Sequence, residues 1–131
     1  MLLDTSAWVE YFEATKMGER ISVLMLSSRA IYSCPLTIAE ISSWCYKNKK
    51  EPATLLRKIK ELSIIVELTE DALSKSGKTH SELRKDDQSD KGKSKISLID
   101  CIIYETARIH GLKLLTKDKD FEGLPDVEML G

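Results

Sequence analysis

What the sequence lacks narrows it before any motif is read. No apolar run approaches the roughly 20 residues that a membrane-spanning helix requires. No secretory leader is expected either, because Asp4 interrupts the first apolar run and Glu10 and Glu13 follow it. Cysteine is scarce and unpaired: Cys34, Cys45 and Cys101 are three, an odd number without a C-x-x-C pair, each inside an apolar stretch. That pattern excludes a disulfide framework and a zinc site, and predicts buried, reduced thiols in a cytoplasmic protein. Net positive charge is missing as well. At −1 overall, the chain has no global field for nucleic acid, so any such contact must come from a local basic patch. Histidine is limited to His80 and His110, near the ends of expected helices and far in sequence from any acidic motif, where a structural or solvated role is expected. There is no internal repeat.

What is present suffices for one folded domain over residues 1–131. Apolar residues make up 42% and charged residues 31%, enough to build a core and too apolar for disorder throughout. Met1-Leu2-Leu3 reads as a strand that stops at the helix-start chemistry of Asp4-Thr5-Ser6. Helices are expected at 6–12 and at 19–28, where Ile21, Leu24 and Met25 fall at helical intervals. Residues 30–34 form a β-branched and aromatic run closed by Pro35. Further helices follow at 37–46 and from Pro52 through Leu62, with strand character at 63–68. A helix is expected from Thr69 to about Leu83, and another, strongly apolar, from Ile96 to His110, ended by Gly111. Residues 85–95 hold no apolar side chain and read as a loop. Strands at 112–115 and 127–130 complete the set. Strands alternating with helices predict a parallel sheet covered on both faces, with ligands bound beyond the carboxyl ends of the strands.

That rule directs attention to a set of acids. Asp4 ends the first strand. Glu40 stands near the start of the helix after the second, in LTIAEI. Asp100 lies in the first turns of the apolar helix, with Ile96, Ile103 and Ala107 on its own face. Asp118 and Asp120 follow the fourth strand. An ionised carboxylate packed inward is costly, and several together raise one another's pKa. A divalent cation relieves both, and hard carboxylate oxygens select Mg²⁺ or Mn²⁺. Each acid also has a plain structural reading. Thr37-Ile-Ala-Glu40 and Ser97-Leu-Ile-Asp100 both match the capping box, Asp4 can cap the helix after it, and Asp118 and Asp120 can be turn residues. Four acidic caps at one sheet edge are less expected than four ligands, and the two roles are compatible.

These residues resemble the PIN-domain nucleases, and among them the VapC-type toxins of toxin–antitoxin pairs. The resemblance runs along the whole chain through LLDTSAWVEYF, the Glu of LTIAEI, the Asp of SLIDCIIYETARIHG, and LLTKDKDF. It implies a three-layer α/β/α sandwich with a central parallel sheet of four to five strands. It implies a catalytic set of Asp4, Glu40, Asp100 and Asp118. Asp4 and Asp100 would be the principal ligands of Mg²⁺ (or Mn²⁺), with Glu40, Asp118 and the adjacent Asp120 in support. Thr5, Ser6 and Thr116 would donate hydrogen bonds to the ligands. The activity implied is metal-dependent hydrolysis of RNA phosphodiester bonds without a general-base histidine, in a homodimer held in check by an antitoxin protein. Trp8 is expected in the core, and Tyr11 and Phe12 at an interface. Of three basic clusters (Lys47/Lys49/Lys50, Arg57/Lys58/Lys60, and Arg84/Lys85 with Lys91, Lys93 and Lys95), the first two read as solvated surface. Lys91, Lys93 and Lys95 are candidates for contact with the RNA backbone.

Other readings are a housekeeping RNA-processing nuclease of the same fold and a catalytically silent module that binds RNA or protein. The acids retained at every expected position argue against the silent module. A response-regulator receiver would carry two adjacent acids after strand one and an aspartate after strand three. Here Asp4 stands alone and strand three leads into Glu67 and Leu68.

Overall fold

The computed structural model describes residues 1–27, 29–89 and 96–131, with side chains for all of these except 85–89. Five strands, β1 (Leu2–Leu3), β2 (Tyr32–Ser33), β3 (Ile64–Ile65), β4 (Leu114–Thr116) and β5 (Val127–Met129), form one sheet in the order β3-β2-β1-β4-β5. All four pairings are parallel, with Leu2 opposite both Tyr32 and Leu114. The helices are α1 (Thr5–Phe12), α2 (Lys16–Leu26), α3 (Pro35–Lys47), α4 (Pro52–Leu62), α5 (Glu70–Ser89) and α6 (Leu98–Ile109), and a 3-10 turn covers Lys119–Phe121.

Strand alternation divides the core into two layers. Leu2 and Leu114 point to one face, where they pack with Cys34, Ile96, Cys101, Ile103, Tyr104 and Phe121. Leu3 and Leu115 point to the other, against Ala7, Trp8, Ile21, Ile41, Cys45 and Ile59. Successive strand residues face opposite ways, so an apolar run without polar alternation is what a sheet covered on both sides requires. All three cysteines are free and buried. Trp8 is fully buried, and its indole N–H donates to Ser33 Oγ at 2.9 Å. Tyr11 and Phe12 are half-buried and pack on the Trp8 ring with centroids 5.7 and 5.6 Å away.

Helix ends follow local chemistry. Gly111 takes φ +69° after α6, while its N–H reaches Arg108 O and that of Leu112 reaches Ala107 O. This paired closure of a helix end favours glycine at the left-handed position. At Gly18 the demand is space. A Cβ there would stand 2.1 Å from the Glu10 carbonyl oxygen, so α2 crosses α1 at a distance only glycine permits.

Four expectations are corrected. Helix α3 starts at Pro35 and not Thr37, because a proline in the first turn needs no N–H partner. Thr37 and Glu40 therefore do not form a capping box. Helix α5 continues to Ser89, so residues 85–89 belong to a helix and not to the expected loop. Lys85-Asp-Asp-Gln-Ser contains no glycine or proline to stop it. His80 consequently sits in mid-helix. His110 does cap α6, with its ring Nε2 2.8 Å from Glu67 O.

Candidate active site

The strand order places the topological switch between β1 and β4. From β1 the chain winds outward through β2 and β3, then returns to the other side of β1. Helices start on both sides of the crevice beyond the carboxyl ends of these two strands.

Asp4 stands at the head of that crevice. It ends β1 and caps α1, accepting the Ala7 N–H at 2.9 Å and the Ser6 hydroxyl at 2.6 Å on Oδ1. On Oδ2 it accepts the Thr116 hydroxyl at 2.5 Å, a bond from the end of β4. Only 6% of Asp4 is exposed. Burial raises its pKa to about 6; the Ser6, Thr116 and Ala7 bonds oppose the rise, and the charge of Asp100 adds to it.

Glu40 comes from the second turn of α3. Free of any capping duty, its Oε1 accepts the Thr5 hydroxyl at 2.5 Å, and Thr5 also lies 3.4 Å from the buried Thr37 hydroxyl. Its carboxyl is pushed above the ordinary range by burial, with a further contribution from Asp100. Asp118 begins the 3-10 turn after β4. Its Oδ1 accepts the Asp120 N–H at 3.0 Å, and its own N–H donates to Thr116 Oγ1 at 3.0 Å. It too is pushed up, by burial first and then by the charges of Asp120 and Asp100.

Asp100 sits in the first turn of α6 in a complete capping box. Ser97 Oγ accepts the Asp100 N–H, and Asp100 Oδ2 accepts the Ser97 N–H, both at 3.0 Å. One carboxylate oxygen is thus engaged in the cap. The charge of this one residue is felt at Asp4, Glu40 and Asp118, which come from three other elements of the chain. None of the four acids forms an ion pair with a described lysine or arginine. Their described partners are hydroxyls and backbone amides.

Three of the four structural readings therefore hold together with the convergence: Asp4, Asp100 and Asp118 are caps and neighbours at once, while Glu40 is a neighbour only. Thr5, Ser6 and Thr116 all point their hydroxyls at the acids. Asp120 is half-buried in the 3-10 turn, behind Asp118. Among the described residues, no three acidic, histidine or cysteine groups stand close enough to hold one ion unaided. Lys91, Lys93 and Lys95 lie outside the described residues.

Sequence reasoning missed two buried acids. Glu10 pairs with Lys117 at 2.6 Å, and Glu105 accepts the Thr79 hydroxyl at 2.6 Å and faces Arg108 at 3.7 Å. The available signal was an acid within an apolar helical face, at WVEYF and IIYETA.

Comparison with known proteins gives a consistent result. The PIN domain family matches residues 1–127. Ribonuclease VapC11 of Mycobacterium tuberculosis is 32% identical over 126 residues, covering 93% of this chain and 89% of the relative, and a VapC ribonuclease of Mycobacterium bovis matches equally. Among solved structures, a toxin–antitoxin complex from Klebsiella pneumoniae superposes with TM-score 0.76 at 23% identity, over 99% of this chain and 97% of that one. VapBC2 from Rickettsia felis, bound to a promoter DNA fragment, gives 0.71 at 19%, over 98% and 96%. The parallel sheet, its switch-point acids and the match along nearly the full length lead to one assignment: this chain belongs to the PIN domain family.

Proposed function

We propose that this chain is an endoribonuclease that hydrolyses RNA phosphodiester bonds with Mg²⁺ or Mn²⁺, and is the toxin of a toxin–antitoxin pair. The observation that carries the reading is that the charge of Asp100 reaches Asp4, Glu40 and Asp118 in a crevice where none of them has a described cation to pair with. Their all-oxygen donor set suits a hard divalent ion and offers nothing to a soft one. A cation also removes the cost that burial imposes on Asp4.

Asp4 and Asp100 would hold the ion, with Glu40 and Asp118, and Asp120 beside it, completing the shell or orienting water. When bound, such an ion offsets the negative charge that builds on the phosphate oxygens and activates water. The chain's own residues do the rest. Ser6 and Thr116 fix both oxygens of Asp4, and Thr5 fixes Glu40, so the carboxylates are aimed before substrate arrives. Asp100 also brings the start of α6 to the same crevice, and the N-terminus of a helix favours a phosphate. The names of the relatives support RNA as substrate and an antitoxin protein as partner. A homodimer remains part of the proposal, and sizing of the purified protein tests it. Neutralising Lys91, Lys93 and Lys95 together should weaken RNA binding and flatten its salt dependence.

The direct test is cleavage of mixed RNA with Mg²⁺, with EDTA, and by Asp4→Asn and Asp100→Asn. Cutting should require the metal and both acids. Equal cutting by parent and variants would reject the assignment, and failure of the parent under all conditions would favour a silent binding module.

A further inference from the structure

Apart from the four acids, α1 carries a buried carboxylate whose partner lies 107 residues away in sequence. Glu10 is 8% exposed. Its Oε1 accepts from Lys117 Nζ at 2.6 Å and its Oε2 from the Thr15 hydroxyl at 2.7 Å. The Lys117 ammonium, then Thr15, hold its carboxyl below the usual range. Thr15 also caps α2, whose Gly18 lies against the Glu10 carbonyl. Both oxygens are therefore occupied, and the backbone beneath them is locked by the crossing of two helices.

Lys117, whose side chain is 42% exposed, is tied through its backbone as well. Its N–H donates to Ser6 Oγ at 3.1 Å, and its predecessor Thr116 donates to Asp4 Oδ2 at 2.5 Å. The end of β4 is thus fastened along α1 at Asp4, at Ser6 and at Glu10. The first two fasteners belong to the site. The third stands beyond it, and it alone is an ion pair. A charge-assisted bond to a carboxylate with 10% of its side chain exposed is a stiff restraint, because opening it leaves a buried charge unpaired.

We propose that Glu10 and Lys117 are positioning residues. Their ion pair holds the exit of β4 against α1, fixing the Ser6 and Thr116 hydroxyls on Asp4 and the point from which Asp118 leaves the strand. The tie acts through the backbone of residues 116–118 and touches neither RNA nor metal. Its catalytic consequence rests on the proposed function; the tie itself does not.

The test compares Glu10→Gln, Lys117→Met, Lys117→Arg and the Glu10→Gln/Lys117→Met double variant. Amide exchange of Lys117 and Asp118 is read together with Mn²⁺ affinity by calorimetry and the kinetics of RNA cleavage. Both amides should exchange faster in Glu10→Gln and Lys117→Met, and the double variant should be no worse than either single one. Mn²⁺ affinity and kcat should each fall roughly tenfold with KM unchanged, a magnitude typical of lost support to metal ligands, and Lys117→Arg should restore most of it. Unchanged exchange at these amides overturns the proposal. So does a raised KM in Lys117→Met alone, which would make Lys117 a direct RNA contact. Should the methionine variant not fold, Lys117→Gln takes its place. If the parent neither binds Mn²⁺ nor cuts RNA, the proposed function fails, while the exchange data still decide the tie.

Discussion

Two groups of carboxylates at opposite edges of the sheet are treated in opposite ways. At the edge where the strands begin, Asp126 precedes β5 and bonds Arg108 at 3.3 Å; Arg108 also faces the buried Glu105 and lies over the Tyr104 ring. Both of these acids have a cation, Glu105 has the Thr79 hydroxyl as well, and the guanidinium is shared between the two. At the edge where the strands end, the four acids of the crevice have hydroxyls and amides but no described cation. The first arrangement is complete as it stands. The second aims its carboxylates with no described cation beside them, an arrangement that costs stability unless a charge is supplied. Burial alone does not mark a functional acid, since Glu105 is 5% exposed and Asp4 6%. What separates them is that Glu105 faces Arg108, while Asp4 has no described cation beside it.

The contrast can be broken most forcefully at Asp100. Replacing it with Asn keeps an acceptor for the Ser97 N–H, so melting should change little, while RNA cleavage should fall by about two orders of magnitude or more. Near-parental cleavage would put the two edges on equal footing. A second prediction concerns pH. The pKa of Asp4 is raised to about 6 in the folded state from 3.8, so its protonated form favours folding. Without metal, that contribution is fully present below about pH 4 and is lost as pH rises through about 6, a loss of about 3 kcal/mol. Subtracting the stability profile of Asp4→Asn from that of the parent should isolate this falling curve; a flat difference would show that Asp4 is not strained.

Adding Mg²⁺ sharpens the comparison further. At about one hundred times its dissociation constant it should stabilise the parent by about 2.7 kcal/mol and Asp4→Asn far less, visible as a shift in melting temperature. The smallest effect belongs to the opposite edge. Arg108→Met leaves Glu105 with Thr79 alone and should cost about 1–2 kcal/mol in denaturant unfolding. Cleavage per folded molecule should be unchanged, and a specific loss of activity would mean that the two edges are coupled.

What could be read from the sequence was what is local. Ser97 and Asp100 are three residues apart and form the box their spacing suggests. Asp4 follows an apolar run and caps the helix it precedes. The parallel sheet was legible because strands and helices alternate along the chain. Errors arose where a second local signal competed. Thr37 and Glu40 have capping-box spacing, but Pro35 starts the helix earlier and moves both inside it. Residues 85–89 are polar enough for a loop, yet nothing among them stops a helix. Pairings such as Glu10 with Lys117 and Thr79 with Glu105 were out of reach, because charge and hydroxyl identities do not say which distant element folds back beside them.

The brevity of β1 has a practical consequence for protein engineering. Two residues supply the sheet's central strand, and each is committed to a different layer of the core. Losing or gaining one residue between Met1 and Asp4 would shift the phase of everything after it by half a pleat. A leucine would be exchanged between layers and the first carboxylate turned away from β4. Extensions are therefore better joined ahead of Met1 than spliced behind it, because from Leu2 onward the chain behaves as a ruler with no slack.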